Sequence, residues 1–276
     1  MSIRSSKITV CIPVYNAAKT ISRCLESVVK QNFDNFEIVI SDNNSVDDSF
    51  RICNSYKKKY KRIKLYKQKQ KLSVFDNFKF LLKKAKGKYI MWIASHHQIS
   101  KNFLLINSKN LDNNNNLVAS MGVDYFVNNK KKEIQKQKFS FENDSYNNIK
   151  LFFSRCWRTH GLFYSLIRRE NLIKSSKFLK PYLASDWIFM LSLINNGKVH
   201  REKKTFIILG REGLSSKKKL KQHIKKEYMS LLPYYHFNKN FIKIINSTRI
   251  NMYKKIILLT HSLLLNFRYL VSILRR

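Results

Sequence analysis

Short apolar runs alternate with amphipathic stretches along the N-terminal third of the chain. Residues 8–14 (ITVCIPV) and 36–41 (FEIVIS) each predict a buried strand. Between them, apolar residues recur three and four positions apart, the spacing of one helix face: Ile21, Cys24, Leu25, Val28 and Val29. The run at 89–94 (YIMWIA) predicts another strand, apolar enough to be covered on both faces.

Two further helices and a short strand complete this half of the chain. One helix carries Phe50, Cys53, Tyr56 and Tyr60, residues 63–66 form a strand, and a third helix ends at Gly87. Strands that alternate with helices predict βαβ units and a largely parallel sheet. Ligands bind beyond the carboxyl ends of such strands. Residues 13–16, 42–45 and 94–97 are therefore expected to line one crevice.

The second half is less regular. In chain order it predicts a strand at 117–127, a basic loop at 128–138, a helix at 151–156, an extended segment at 161–167, an amphipathic helix at 187–194 and a short strand at 205–209. From Lys217 the chain becomes basic and helical, which indicates a boundary there.

The C-terminal stretch 256–276 (IILLTHSLLLNFRYLVSILRR) is apolar but interrupted by polar residues, which disfavours a membrane-spanning helix. On a helix, the polar residues form one narrow stripe: Lys254, His261, Arg268, Ser272 and Arg275. Such a segment suits an anionic membrane interface. Packing on the rest of the chain, or in a homo-oligomer, explains the pattern equally well.

The net charge of the chain indicates which partners it can attract. Lys and Arg number 54 against 17 Asp and Glu, a net charge of +37. Nucleic acid, an anionic membrane surface and phosphorylated substrates are the partners that this charge favours, although any single lysine run can be a solvated face. We expect no nucleic-acid partner, because the sequence has no recognition motif for one.

The cysteines and the N-terminus bear on the compartment. The four cysteines are widely spaced and each lies in an apolar stretch, where a reduced thiol behaves as a small hydrophobe. Residues 1–7 are polar, and no secretion signal is recognisable. Both features favour a cytoplasmic location.

Four segments, in order, resemble the landmarks of family 2 glycosyltransferases of the GT-A fold. They are ITVCIPVYNAAKTISRCLESVVKQ, FEIVISDNNSVDDS, KAKGKYIMWIASHHQISKNFL and YLASDWIFMLSLINNGKV, which together span about residues 7–211. The resemblance implies an α/β fold with a Rossmann-like, mostly parallel central sheet, flanking helices and a C-terminal helical tail. It also implies a GT-A domain over residues 1–216, with a nucleotide-binding half (about 7–112) and an acceptor half (about 113–216). The basic helical region 217–276 follows that domain.

The resemblance also implies which residues bind the donor. Pro13, Tyr15 and Asn16 correspond to the wall of the base and ribose site, and Asp42, followed by Asn43, corresponds to the carboxylate that reads uracil N3–H. A carboxylate suits that task because it accepts hydrogen bonds and does not donate them. The alternative is that Asp42 only forms a turn with the asparagines that follow it.

The sequence departs from the family at the position where family members carry an Asp-x-Asp motif. In the family, that motif holds Mg²⁺ or Mn²⁺ on the sugar diphosphate. Ala94, Ser95 and His96 stand there, followed by His97. Three explanations stay open, in this order of preference. His96 or His97 contacts the donor phosphates directly with help from lysines, the chain has lost activity, or His96 helps to hold a metal. Ser95 is a further candidate for binding the donor.

Asp186 corresponds to the family's general base, which takes a proton from the acceptor hydroxyl. An N-cap role is the structural alternative and is compatible with it. Ser185 replaces the Glu that usually precedes this Asp. His160 is a candidate for the acceptor site and Arg211 for a phosphate contact.

The predicted function is transfer of a sugar, with inversion, from a nucleotide-sugar donor to a lipid-linked or surface-polysaccharide glycan acceptor. UDP is the expected nucleotide, and the expected place is the cytoplasmic face of the cell membrane. A catalytically inactive GT-A domain that acts as a scaffold is the first alternative, because both acidic ligands are missing. A nucleic-acid-binding protein is the second.

Overall fold

A computed structural model describes residues 7–128, 131–134, 140–155, 160–210 and 234–274. The strands are β1 (Ile8–Val14), β2 (Phe36–Asp42), β3 (Ile63–Lys67), β4 (Tyr89–Trp92), β5 (Gln98–Ile99), β6 (Leu117–Asn128), β7 (Lys131–Ile134), β8 (Leu166–Arg168) and β9 (Lys198–Leu209). The helices are α1 (Ile21–Val29), α2 (Ser49–Lys59), α3 (Val74–Lys84), α4 (Phe103–Asn113), α5 (Ser145–Arg155), α6 (His160–Phe163), α7 (Arg169–Ser176), α8 (Ser185–Asn195), α9 (Tyr235–Asn246) and α10 (Met252–Leu274).

The strands form one mixed sheet in the order β3-β2-β1-β4-β8-β6-β9-β5, with β7 paired to β6. Strands β3, β2, β1 and β4 are parallel to one another, and β8 pairs antiparallel with both β4 and β6. The predicted α/β fold is confirmed, and the first four strands lie where the apolar runs predicted them. The carboxyl ends of β1, β2 and β4 are adjacent because β1 lies between the other two.

The central strands are buried on both faces, as their unbroken apolar runs predicted. Along β1, Val10 and Ile12 pack into the core under α1, α2 and α4, whereas Cys11 belongs to the core on the opposite face. That second core also contains Trp92 of β4. The sheet is therefore held rigidly from both sides, which fixes the loops at its carboxyl edge.

Two segments of the second half have a different conformation from the predicted one. The predicted basic loop at 128–138 contains β7, which pairs antiparallel with β6, so cross-strand pairing overrides the polar composition of that segment. The predicted extended segment at 161–167 begins within α6, and only its end joins β8. The side chain of Asp124 accepts a hydrogen bond from the Gly161 N–H (3.1 Å) and so supports the start of α6.

Helix α8 was predicted to be amphipathic, and it is instead buried on nearly every side. It packs against α5, α7 and α9, and Phe189 contacts Trp92 of β4 with ring centroids 5.5 Å apart. Strand β9 is also longer than predicted, because its first half pairs with β6 beyond the apolar run. Long-range packing therefore explains both differences.

The C-terminal helices pack on the rest of the chain. Helix α9 contacts α8, and α10 contacts α5 and α9. Phe237 and Phe241 of α9 and Leu258 of α10 are fully buried in the same core as Trp92. Of the helices in the described part of the chain, none is long and apolar enough to cross a membrane. The division at residue 217 stays a prediction, since 211–233 lie outside the described residues.

Candidate functional site

The three loops predicted to converge follow β1, β2 and β4, which are neighbours in the sheet. In the parallel ladder Val14 pairs with Asp42, and Cys11 pairs with Trp92. The loop after β3 joins this edge as well, because the Gln68 N–H donates to the Asp42 carbonyl at 2.9 Å. The carboxyl edge therefore gathers segments that are distant in sequence.

Asp42 is the last residue of β2 and is fully buried. Its Oδ1 accepts a hydrogen bond from the Ser45 N–H at 3.1 Å, which is the turn contact that its sequence context favours. Its Oδ2 is also buried and accepts no hydrogen bond from the part of the chain that the structure describes. Because a buried acceptor without a donor is costly, Asp42 Oδ2 is suited to receive an N–H from a ligand.

Asn43 and Asn16 hold the loops that surround Asp42. The Asn43 amide donates to the Leu72 carbonyl (3.0 Å) and accepts from the Leu72 N–H (2.8 Å), which clamps the loop after β3. Asn16, with a φ of 47°, donates its N–H to Ser45 Oγ and accepts from the Val46 N–H, both at 3.0 Å. Contact of either asparagine with the nucleotide-sugar donor stays a prediction.

Tyr15 projects from the end of β1, and Pro13 lies half-buried within that strand. The Tyr15 side chain is 41% exposed, and the Lys71 ammonium lies 4.3 Å from the centre of its ring. A cation over an aromatic face is attracted by the ring quadrupole. Lys71 was missed in the sequence, because only the Asn43–Leu72 clamp and the strand order bring residue 71 to Tyr15.

Residues 94–97 form a turn closed by a hydrogen bond from the His97 N–H to the Ala94 carbonyl (2.9 Å). Ser95 and His97 are buried, and His96 is half-buried. The ring of His97 accepts a hydrogen bond at Nδ1 from the Gly210 N–H (3.1 Å), so a neutral His97 carries its proton on Nε2. The turn is thus tied to the end of β9. Contact of Ser95, His96 and His97 with the nucleotide-sugar donor stays a prediction.

The residues at the family's metal position do not fit a hard cation. Mg²⁺ and Mn²⁺ prefer carboxylate and other oxygen ligands, and Ala94, Ser95 and His96 provide no carboxylate. Within the described ranges, no group of three or more His, Cys, Asp or Glu side chains could hold a metal ion.

Asp186 lies in the first turn of α8, which begins at Ser185, and is half-buried. The predicted N-cap role is wrong, because the N-cap residue is Ala184, whose carbonyl accepts from the Trp187 and Ile188 N–H groups (3.1 and 3.2 Å). Ala184 has the left-handed φ of 59°, a conformation that costs about 1–2 kcal/mol for a residue other than glycine. Strained backbone often marks functional sites.

Two tyrosines that the sequence did not single out lie near Asp186. Burial, together with the negative charge of Asp186, raises the pKa of Tyr164 and of Tyr182. Both phenols are therefore protonated at neutral pH. The Tyr182 hydroxyl donates to the Phe178 carbonyl at 2.9 Å, and the ring of Tyr164 packs against the ring of His97. Tyr164 thus connects the turn after β4 to the surroundings of Asp186.

His160 and Arg211 are the remaining candidates of the predicted site. His160 begins α6, next to Gly161, whose N–H is bound by Asp124. A Cβ on Gly161 would lie 1.8 Å from Asp124 Oδ1, so a glycine is required for this close approach. Arg211 lies outside the described residues. The roles of His160 and Arg211 stay predictions.

Comparison with known proteins agrees with this geometry. The chain matches glycosyl transferase family 2 over residues 9–174, more than half of its length. It is 25% identical over 202 residues to the cholesterol galactosyltransferase of Borreliella burgdorferi, covering 69% of this chain and 56% of that protein. It is 36% identical over 102 residues to the poly(ribitol-phosphate) beta-glucosyltransferase of Bacillus spizizenii, covering 36% of this chain and 16% of that protein.

Among solved structures, S. aureus TarS 1–349 in complex with UDP-GlcNAc superposes with a TM-score of 0.72 at 20% identity, covering 93% of this chain and 71% of that one. This likeness shows the GT-A fold. The chain spans between about a sixth and just over half the length of the two curated relatives named above. The match to the family covers β1 through most of α7 and includes Asp42 and the turn after β4, and the chain belongs to glycosyl transferase family 2.

Proposed function

We propose that this protein transfers a sugar from a UDP-sugar to a hydroxyl group of a lipid-linked or surface-polysaccharide acceptor, with inversion at the anomeric carbon. The observation that supports the proposal is the hydrogen bonding of the Asp42 carboxylate. One carboxylate oxygen is held by the Ser45 N–H, and the other is buried with no hydrogen bond from the described chain, at the edge of the sheet where ligands bind.

Uracil supplies what Asp42 Oδ2 lacks. Its N3–H is a donor, and cytosine has no proton at that position, so a carboxylate there favours uracil over cytosine. Tyr15, partly exposed with Lys71 above its ring, offers a flat surface beside Asp42. Asn16 and Asn43 keep the walls in place through hydrogen bonds to neighbouring loops.

The diphosphate needs positive charge or N–H donors. His96 is half-buried in the turn after β4, and Lys71 stands at the rim of the same edge. Preorganised donors can stabilise the charge that develops on a leaving group. We assign His96 and Lys71 to this task, which the family's Asp-x-Asp motif serves through a metal.

The chemistry is a single displacement. Asp186 takes the proton from the acceptor hydroxyl, and the acceptor oxygen forms a bond to the anomeric carbon as the bond from that carbon to the diphosphate breaks. UDP leaves with the bonding electrons. Attack from the face opposite to the diphosphate inverts the anomeric centre. Half-burial at a helix N-terminus suits Asp186 for this work, since free N–H groups there favour a carboxylate.

The acceptor and the place of the reaction rest on the relatives and on charge. The names of the relatives refer to cholesterol and to poly(ribitol phosphate), a lipid and a polyanion. A chain of net charge +37 suits either a phosphorylated acceptor or an anionic membrane surface. We place the protein at the cytoplasmic face of the cell membrane for the same reasons.

A thermal-shift screen of nucleotide sugars tests the proposal, because a ligand that binds only the folded state raises its stability. UDP-sugars should raise the melting temperature more than GDP- and CDP-sugars, and excess chelator should not abolish the shift. UDP release from the best donor, measured without and with Mg²⁺ or Mn²⁺, then tests the chemistry. Stabilisation without turnover under any condition would favour the inactive scaffold, and absence of stabilisation by any nucleotide would contradict the proposal.

A further inference from the structure

Helix α10 packs against the protein with a side that combines buried apolar residues with part of its polar stripe. Leu258, Ser262 and Leu265 are buried, and they follow one another at helical spacing. On the same side, the Lys254 ammonium lies 5.1 Å from the ring centre of Tyr146, and the ring of His261 lies 6.3 Å from that of Phe153. The polar stripe recognised in the sequence is therefore used, at least at Lys254 and His261, to pack against α5.

The opposite side of α10 is apolar and open. Met252, Ile256, Leu263 and Phe267 lie four, seven and four residues apart and share one stripe, and Tyr253 and Leu264 flank it. All six are between 47% and 72% exposed. We call these six residues the outer face of α10. An exposed apolar stripe of this kind marks a surface that meets another apolar phase.

The charges of the residues around α10 indicate what lies against this apolar surface. No acidic residue follows Glu227 in the sequence, whereas eight basic residues do: Lys239, Lys243, Arg249, Lys254, Lys255, Arg268, Arg275 and Arg276. Lys239, Lys243 and Arg249 are exposed next to α10 in the chain. A symmetric contact between two copies would bring these like charges together, which is unfavourable. An anionic bilayer attracts them, at about 1 kcal/mol per basic residue near its surface.

We propose that the outer face of α10 docks on an anionic lipid bilayer, with the helix lying in the plane of the membrane surface. The apolar side chains enter the boundary between headgroups and acyl chains, and the exposed basic residues Lys239, Lys243 and Arg249 lie at the level of the phosphates. This inference deepens the proposed function, on which it rests for its biological purpose, since docking brings the enzyme to lipid-linked acceptors. The docking surface itself follows from α10 and its charge alone.

The test is co-sedimentation of the full chain with vesicles, one set of phosphatidylcholine mixed with phosphatidylglycerol and one of phosphatidylcholine alone. Wild-type chain should bind the anionic vesicles and lose binding as salt rises. The triple variant Ile256→Ser, Leu263→Ser, Phe267→Ser should bind at least about tenfold more weakly, because three apolar side chains no longer enter the bilayer. The matched control Val46→Ser, Ile173→Ser alters exposed apolar residues elsewhere and should bind like wild type.

Circular dichroism melting of both variants checks folding, and light scattering without vesicles reports the oligomeric state. Unchanged vesicle binding in the folded triple variant would overturn the proposal. A wild-type dimer that the triple variant loses, with vesicle binding unaffected, would assign the outer face to a second copy instead. If the triple variant does not fold, single substitution of Phe267 to Ser replaces it in the same assay, and unchanged binding there would likewise overturn the proposal. UDP binding, measured separately, decides the proposed function and does not depend on this result.

Discussion

The ring of His97 meets the ring of Tyr164 edge-on, with centroids 4.5 Å apart and planes at 90°. His97 belongs to the turn after β4, and Tyr164 lies between α6 and β8. Burial, together with the negative charge of Asp186, raises the pKa of Tyr164. The turn at the family's metal position therefore packs against a tyrosine that lies close enough to Asp186 to be influenced by its charge.

Two substitutions of Tyr164 should separate the contribution of its ring to stability from that of its hydroxyl. Tyr164→Ala should lower the free energy of unfolding by about 3 kcal/mol, since it removes a ring packed on His97 and Phe163. Tyr164→Phe keeps both ring contacts and should cost much less. Urea unfolding measures both variants. Equal stability of Tyr164→Ala and wild type would show that the ring contact does not stabilise the fold.

Asp186→Asn should abolish proton acceptance while it keeps the shape of the side chain. Loss of a positioned general base lowers the rate by a factor of roughly 10² to 10⁴, and UDP binding should persist because Asp42 is unchanged. The measurement is UDP release from the UDP-sugar that stabilises the chain most. Asp144→Asn, on an exposed residue before α5, serves as the control. Full activity of folded Asp186→Asn would remove Asp186 from the mechanism.

Breaking the buried ion pair between Arg201 and Asp124 should strongly lower the free energy of unfolding. Arg201 lies 3.7 Å from Asp124 Oδ1 and donates to the Gly122 carbonyl at 3.2 Å, and both members of the pair are buried. Arg201→Met leaves a buried carboxylate and should cost about 3–5 kcal/mol. Arg51→Met, which breaks the exposed pair with Asp48, should leave the urea midpoint nearly unchanged. Equal effects of the two substitutions would contradict this difference in burial.

Acid should destabilise the fold partly through Glu37. Burial by itself would raise the pKa of this carboxyl, but hydrogen bonds from Lys64 and Thr9 outweigh it, so the pKa is lowered. A lowered folded-state pKa means that the contribution to stability is present above the unfolded value of about 4.3 and is lost as pH falls below it. Glu37→Gln should therefore flatten the fall in urea midpoint below about pH 4.3, and the exposed control Glu170→Gln should not. A fall equally steep in Glu37→Gln and wild type would remove Glu37 from the acid response.

Local pattern predicted the parts of the fold in which neighbours in sequence determine the structure. β1 and α1 follow directly from apolar spacing at residues 8–14 and 21–29. Helix α4 was missed because its asparagines look like turn residues. In the fold, the Asn107 amide donates to the Phe103 carbonyl and to Thr205 Oγ1 and accepts from Ser120 Oγ. Those last two partners are far away in sequence, so local pattern could not predict that the helix would tolerate Asn107.

The same distinction applies to the site. The resemblance gave Asp42 and Asp186, which lie at the end of β2 and in the first turn of α8, and their roles stay predictions. It could not give Lys71, which reaches Tyr15 only through the Asn43–Leu72 clamp. Nor could it give Tyr164, whose importance depends on contact with His97 across the sheet edge.

Recognition of UDP by Asp42 is the point on which the account depends, and calorimetric titration of UDP into wild type and Asp42→Asn measures it. The asparagine Oδ1 can keep the hydrogen bond from the Ser45 N–H, and its amide then places a donor where Oδ2 stood, facing uracil N3–H. A lost hydrogen bond to a charged group is worth about 1.5–3 kcal/mol, so the dissociation constant should rise at least about tenfold. The fully exposed Asp34→Asn should bind UDP like wild type. Equal UDP affinity in wild type and in correctly folded Asp42→Asn would contradict the account and leave Asp42 as a turn residue only.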